Sequence, residues 1–404
     1  MARALNQAGH ALRDQIRRIE PYDTGLLLSV LMLMGVGTVM VYSATIHSDT
    51  LSSAGIGTST LKRHLAHVAL GLVFLVVGMM VPYRRWRAMV YPILGGVLGL
   101  LVLVLAFGTT AGNARRWLAL PGFNIQPAEM AKLAFVLFLA YSLAKKGPAI
   151  ERFTVAILPH TLVCTLFIIL CLSQPDFGTS VVLVLLMFTM LFVAGTRLAY
   201  ISLFGCLGIF LAFQAIANNS MRLQRVMTWL DPWGHRMDGG YQMVSSQIAL
   251  GSGGLGGQSL GFGGQTLTGY LPEGETDFIL SVVGEQLGFM GVLMVVVLFG
   301  MILLRGIAAA LHANDDFGRF LAFGITLLIS LQAAINMMVA VTLIPTKGLT
   351  LPFVSYGGSS MLVCSFAIGI LLSITRDIRI GRVRVLQDVV SPAPVGPEPQ
   401  EAAA

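Results

Sequence analysis

The chain has 404 residues, of which 55% are hydrophobic and only 11% are charged, with a formal net charge of +7. Soluble domains carry roughly 25% charged residues, so this composition excludes a soluble globular enzyme, and no nucleic-acid partner is expected. An all-α polytopic membrane protein is implied, and in such a protein the positions of the charges say more than their sum.

Residues 1–24 form a basic N-terminal segment containing Arg13, Arg17 and Arg18. It lacks the apolar core and small-residue cleavage site of a secretory leader, so the first span is expected to remain in the mature protein. About twenty apolar residues cross a hydrocarbon core of ~30 Å, and backbone amides in lipid must pair within the segment. On these grounds apolar runs predict about ten transmembrane helices, at 25–45, 65–81, 89–107, 127–144, 153–173, 177–195, 198–217, 279–304, 318–342 and 355–374. Residues 25–375 thus form one membrane domain. Residues 376–404 form a C-terminal tail whose Pro/Ala/Glu/Gln composition predicts disorder from about 391.

Lys and Arg concentrate in 1–24, 82–88, 145–152, 196–197, 305–317 with Arg319, and 375 onward. By the positive-inside rule these segments and both termini are cytoplasmic. Residues 218–278, between the seventh and eighth helices, then form a large extracytoplasmic loop. Loops of this length are usually functional or disordered. Apolar Met243, Val244, Ile248, Ala249 and Leu255 interspersed with polar positions predict short interfacial helices rather than disorder. Cys164, Cys171, Cys206 and Cys364 all lie in apolar runs, without the spacing of a zinc site or a disulfide framework, and read as packing residues.

Ionisable groups at membrane depth are costly, so each calls for a reason. Leu271–Phe278 reads Leu-Pro-Glu-Gly-Glu-Thr-Asp-Phe and holds Glu273, Glu275 and Asp277. Carboxylates this close repel, raising the pKa of at least one, and a carboxylate so tuned suits a general base. An ordinary helix cap by Thr276 or Asp277 explains the same residues. Glu129 follows Gln126-Pro127-Ala128 at a helix start and is three residues from Lys132, so the two can pair on one face. Asp176, in Gln-Pro-Asp-Phe-Gly-Thr, also fits a plain cap. Arg115, Arg116 and Lys347 are cations on the outer side, suited to phosphates or to lipid headgroups. Residues 345–360, with two prolines and a Gly-Gly pair, interrupt the path between two spans and predict a re-entrant turn that includes Ser355. No phosphate-binding Gly-Lys-Ser/Thr loop, metalloprotease His pair or Ser-His-Asp order is present. Energy must therefore come from the substrate or a gradient rather than from bound ATP.

Five motifs in order carry a resemblance. They are Arg115-Arg-Trp117 through Gln126-Pro-Ala-Glu129, Gln174-Pro-Asp-Phe-Gly-Thr179, Leu271–Phe278, Gly284-Glu-Gln-Leu-Gly288, and Lys347-Gly-Leu-Thr-Leu-Pro-Phe-Val-Ser-Tyr-Gly-Gly-Ser-Ser360. Over about 23–376 the chain resembles the SEDS proteins (shape, elongation, division and sporulation), and Lys-Gly-Leu-Thr-Leu-Pro is closer to the division branch than to the elongation branch. The resemblance implies a ten-span peptidoglycan glycosyltransferase of the bacterial inner membrane, acting at the division septum. Such an enzyme is expected to polymerise lipid II into β-1,4 glycan and to release undecaprenyl diphosphate. A class B penicillin-binding protein, other division proteins and membrane lipid are the implied partners.

The resemblance makes Asp277 the catalytic aspartate and Glu129, Glu273 and Lys347 functional positions. Lys132, Arg115, Arg116 and Ser355 complete the expected substrate-binding set. No metal ligands are assigned; a divalent cation, magnesium or manganese, shared with the diphosphate is compatible with the chemistry. Glu275 stands where relatives often carry His, and Gln286 where a second Glu is frequent. A lipid II flippase, a non-catalytic division scaffold and an elongation-branch polymerase are the competing readings.

Overall fold

A computed structural model describes residues 22–51, 56–111, 114–120, 123–237, 239–260, 264, 271, 273–346 and 348–390. The expected disordered stretch after 391 and most of the N-terminal segment lie outside them. The helices are α1 (Thr24–Leu51), α2 (Ile56–Met80), α3 (Tyr83–Phe107), α4 (Pro127–Lys146), α5 (Phe153–Ser173), α6 (Phe177–Val193), α7 (Leu198–Ala217), α8 (Ser220–Leu230), α9 (Tyr241–Ser252), α10 (Ile279–His312), α11 (Asp316–Ala340) and α12 (Gly358–Val390). Among the described residues nine helices are long and apolar enough to cross a membrane, and α6, apolar but shorter, accompanies them. At 1.5 Å per residue its 17 residues reach roughly 25 Å, close to the hydrocarbon thickness. All ten expected spans are therefore helices. Several run further than their apolar cores, α10 to His312 and α12 to Val390, because a helix has no reason to stop where the lipid does.

Local chemistry sets the ends. Pro127 occupies the first turn of α4, where its missing N–H costs nothing, and Gly147 closes the helix at φ 46. Helices α4, α11 and α12 form the centre of the bundle, buried over most of their surfaces, whereas α7 buries no residue. Cys206 on α7 is consequently exposed, a correction to the packing role expected of all four cysteines; the other three are buried. Helices α2 and α12 approach closest. A Cβ at Gly78 would meet the Phe366 carbonyl at 2.7 Å, and Gly369 leaves room for the Leu75 carbonyl. In lipid such contact between small residues drives association, because burial of apolar surface gains little there.

One end of the bundle carries Asp23, at the head of α1, and Arg379 of α12. Asp23 meets Arg305 at 3.6 Å and Arg379 at 3.7 Å, and Arg84 bridges Asp315 at 3.4 Å and Asp377 at 3.1 Å. The opposite end carries the long loop and a small antiparallel sheet, β1 (Thr109–Ala111), β2 (Ala114–Leu120) and β3 (Phe123–Ile125), in that order. Thr109 pairs with Trp117 and Leu118 with Ile125.

Within the loop, α8 is tied down by the Trp229 indole, which donates to the Thr342 carbonyl at 3.0 Å. The interfacial reading fails for α9. Met243, Val244, Ser246 and Ala249 are buried, and the Ser246 hydroxyl lies 2.6 Å from that of Ser281 and 2.7 Å from the Ala340 carbonyl. The glycine run that follows packs backbone against backbone on the start of α10. Gln258 N–H donates to the Glu285 carbonyl at 3.0 Å and Phe289 N–H to the Gly254 carbonyl at 2.9 Å. Helix α10 is broken there by Gly288, at φ 65 and ψ −165, a conformation reserved for glycine.

Candidate functional site

The acidic segment 273–278 folds into tight turns ahead of α10. The N–H groups of Thr276, Asp277 and Phe278 all donate to the Glu273 carbonyl, at 3.1, 3.1 and 3.2 Å. The cap expected of Thr276 or Asp277 is not formed: Phe278 holds the cap position of α10 without a side-chain bond. Thr276 donates instead to the Glu273 carboxylate at 2.8 Å. Asp176 is the opposite case. It caps α6, accepting from Thr179 N–H at 3.0 Å and the Thr179 hydroxyl at 2.7 Å, so its plain reading holds.

The Asp277 carboxyl is half-buried, and burial pushes it up to about 6, with the Glu273 charge adding to the rise and the Arg116 guanidinium opposing it. Glu275 is raised as well, chiefly by burial and further by Glu273. Two carboxyls shifted by their surroundings at the mouth of a membrane helix mark a candidate site.

The stretch 348–356 grips this turn. Tyr356 N–H donates to the Glu275 carbonyl at 2.7 Å, and the Ser355 hydroxyl to the Thr276 carbonyl at 2.5 Å. Ser355 also accepts from Leu351 N–H at 2.9 Å and is buried. Its hydroxyl is therefore engaged by backbone, and Ser355 braces the turn. Gly348 lies close enough that a Cβ there would sit 3.6 Å from Asp277 Oδ2. Lys347, the preceding residue, lies outside the described residues.

Arg116 faces the turn from β2. Its Nε donates to the Gln174 carbonyl at 2.9 Å and its Nη2 to the Pro175 carbonyl at 2.5 Å, which fixes the guanidinium beside the start of α6. Arg115, its neighbour along the strand, points to the other face and is exposed. The expected Arg pair is thus one held cation and one free in solvent.

Glu129 and Lys132 do pair, at 2.7 Å, but deep in the bundle: Lys132 is 1% exposed and Glu129 5%. The Lys132 amine also donates to Gln332 Oε1 at 2.8 Å, and Gln332 Nε2 donates to the Thr350 carbonyl at 3.2 Å and to Ser360 at 3.3 Å. The pair therefore supports the 348–360 segment from below. Sequence reasoning missed Gln332, Asn336 and Ser359, whose hydroxyl accepts from Gln126 N–H at 2.9 Å. The signal was available in Gln332 and Asn336, two amides one turn apart in an apolar run. Among the described residues no group of three or more His, Cys, Asp or Glu could hold a metal ion.

A half-buried, proton-retaining carboxylate braced at one end of an all-α membrane bundle defines a polytopic membrane protein with the makings of a general base. The family model for cell cycle proteins of the FtsW/RodA/SpoVE type matches residues 24–380, and the chain belongs to that family. It is 43% identical over 366 residues to the probable peptidoglycan glycosyltransferase FtsW of Geobacter sulfurreducens, covering 90% of this chain and 98% of that one. It is 36% identical over 357 residues to the stage V sporulation protein E of Bacillus subtilis, covering 88% and 97%. Among solved structures, a chain of a peptidoglycan synthase complex that coordinates polymerisation and crosslinking superposes with a TM-score of 0.72 at 30% identity, over 88% of this chain and 98% of that one. The rod shape determining protein RodA of Thermus thermophilus gives 0.65 at 29% identity, over 88% and 97%.

Proposed function

We propose that the chain is a peptidoglycan glycosyltransferase that polymerises lipid II, with Asp277 as its base. Family membership and the activity named for its relatives support the enzyme class. The observation that carries the residue assignment is the Asp277 carboxyl, half-buried, held near pH 6 and faced by Arg116.

In this reading the Asp277 carboxylate takes the proton from the 4-hydroxyl of the acceptor GlcNAc. That oxygen forms a bond to the anomeric carbon of the donor MurNAc as the bond from that carbon to the diphosphate oxygen breaks. The electron pair leaves with undecaprenyl diphosphate, and the α linkage is inverted to β-1,4. A base whose pKa lies close to the working pH is both ionised and basic enough to take the proton. Charge developing on the leaving diphosphate is stabilised by cations fixed beforehand; Arg116 is one such group, with Lys347 and Arg115 as further candidates. A divalent cation, magnesium or manganese, would be held by the diphosphate of the substrate. It would neutralise charge on the leaving group.

Basic residues cluster at the end that carries Asp23 and Arg379, which the positive-inside rule assigns to the cytoplasm. Asp277 then faces the outside of the inner membrane, where a class B penicillin-binding protein would crosslink the product at the septum. The test is purified protein with that partner and labelled lipid II. Asp277→Asn should make no polymer while still forming the complex, and polymer at the unsubstituted rate would reject Asp277 as the base. A flippase makes no glycan in detergent, so the same assay separates the two activities.

A further inference from the structure

On the footing that Asp277 is the base, we propose that Asn336 is its positioning residue, a single side-chain amide that locks the turn bearing the base to the 348–356 segment. Asn336 lies on α11, one turn beyond Gln332, and is buried. Its Nδ2 donates to the backbone carbonyl of Asp277 at 2.9 Å and to that of Leu349 at 2.6 Å. An amide nitrogen has two hydrogens, so both are used. The orientation follows from the partners, since an amide oxygen turned toward two carbonyl oxygens would make no bond at all.

The placement is specific. The carbonyl held is that of the base itself, so the φ/ψ of Asp277 and hence the direction of its carboxyl depend on this bond. The second carbonyl belongs to the segment that also supplies the Ser355 and Tyr356 bonds to Thr276 and Glu275. Those two braces hold the turn to the segment; Gln332 on α11 also bonds the segment, through the Thr350 carbonyl, and Asn336 bonds both the segment and the turn to that helix. The groups facing the Asp277 carboxyl are Glu273 from its own turn and Arg116 from β2. Release of the Asp277 carbonyl would let the turn swing toward water, undoing the burial that keeps its carboxyl protonated near pH 6.

The experiment measures glycan polymerisation against pH and lipid II concentration, in the complex with the transpeptidase partner, for the unsubstituted chain, Asn336→Leu, Asn336→Gln and Asp277→Asn. Leu keeps the shape of Asn and removes both donors; Gln keeps the donors on a longer stem. The expected result for Asn336→Leu is a fall in kcat on the order of tenfold to a hundredfold, the scale of a misplaced reacting group, with KM nearly unchanged. Its acid limb moves below that of the unsubstituted enzyme, and Asn336→Gln recovers part of both effects. An acid limb that stays in place overturns the positioning role, whatever the loss of rate. A fully active Asp277→Asn overturns instead the reading on which it stands. Should the Leu variant not assemble, amide exchange in the unsubstituted protein decides: peptides covering 273–278 and 348–356 must exchange as one unit, and independent exchange overturns the inference.

Discussion

The Ser355 hydroxyl donates to the carbonyl of Thr276 at 2.5 Å, joining two turns that stand 79 residues apart in the chain. Neither turn has regular secondary structure, and each on its own would be mobile. Together with the Tyr356 and Asn336 bonds they form one braced unit at the membrane surface, and the carboxyl of Asp277 belongs to it.

The first consequence is a pH dependence. The Asp277 carboxyl sits at about 6, and only its ionised form accepts a proton. Polymerisation by the purified complex should therefore fall as pH drops through about 6, approaching a tenfold loss per unit below it. Rates measured from pH 5 to 8 at saturating lipid II check this; an acid limb near 4 would mean that the turn is fully hydrated during turnover.

The same shift bears on stability with a defined sign. A carboxyl raised from 3.8 to about 6 binds its proton more tightly in the folded state. Stability therefore declines as pH rises between those two values and stays lower above them. Asp277→Asn removes the buried charge and should raise the thermal unfolding temperature at pH 7.5, by up to about 3 kcal/mol in free energy. The gain should vanish below pH 3.8. An inactive variant more stable than the parent is the expected signature of a functional site.

Arg116 acts on Asp277 in the opposite sense. Its guanidinium lowers the Asp277 pKa, so Arg116→Ala should move the acid limb of the rate profile above its original position while lowering kcat. Arg115→Ala, which removes an exposed charge, should leave the limb in place. Parallel pH profiles of the two variants give the comparison.

The Lys132–Glu129 pair is a stability element as well as a support. Lys132→Met strands a carboxylate that is 5% exposed, a loss of about 3–5 kcal/mol for a broken buried pair. Adding Glu129→Gln should recover much of the unfolding temperature, because no uncompensated charge then remains. Thermal unfolding of the single and double variants measures the recovery.

Much of this arrangement was legible in the residues and some was not, for physical reasons. Among the described residues, the nine spans and the shorter α6 followed from runs such as 25–45, where the absence of ionised groups leaves few alternatives to a helix in lipid. The cap at Asp176 and the pairing of Glu129 with Lys132 followed from local spacing alone. The sheet at 109–125 was missed because its strands pair with one another within a short loop and show no sustained alternation. The cap expected of Thr276 or Asp277 failed because the helix starts only after Phe278 and the Thr276 hydroxyl donates to the Glu273 carboxylate instead. Gln332 and Asn336 were passed over because an amide inside an apolar run carries no charge to draw attention. Their partners, Thr350, Leu349 and Asp277, lie in other segments that only the fold brings near.

Asp23, at the head of the first crossing, touches both Arg305 and Arg379, so the chain returns to its starting point much as a closed ribbon does. Joining residue 380 to residue 22 by a short linker and opening the ribbon at the surface turn 147–152, which lies on that same side, would leave every crossing in its original direction. The new ends would emerge on the side that carries Asp23 and Arg379. Sequence order is then one of several ways of threading this bundle, and the partnerships around Asp277 would survive the change.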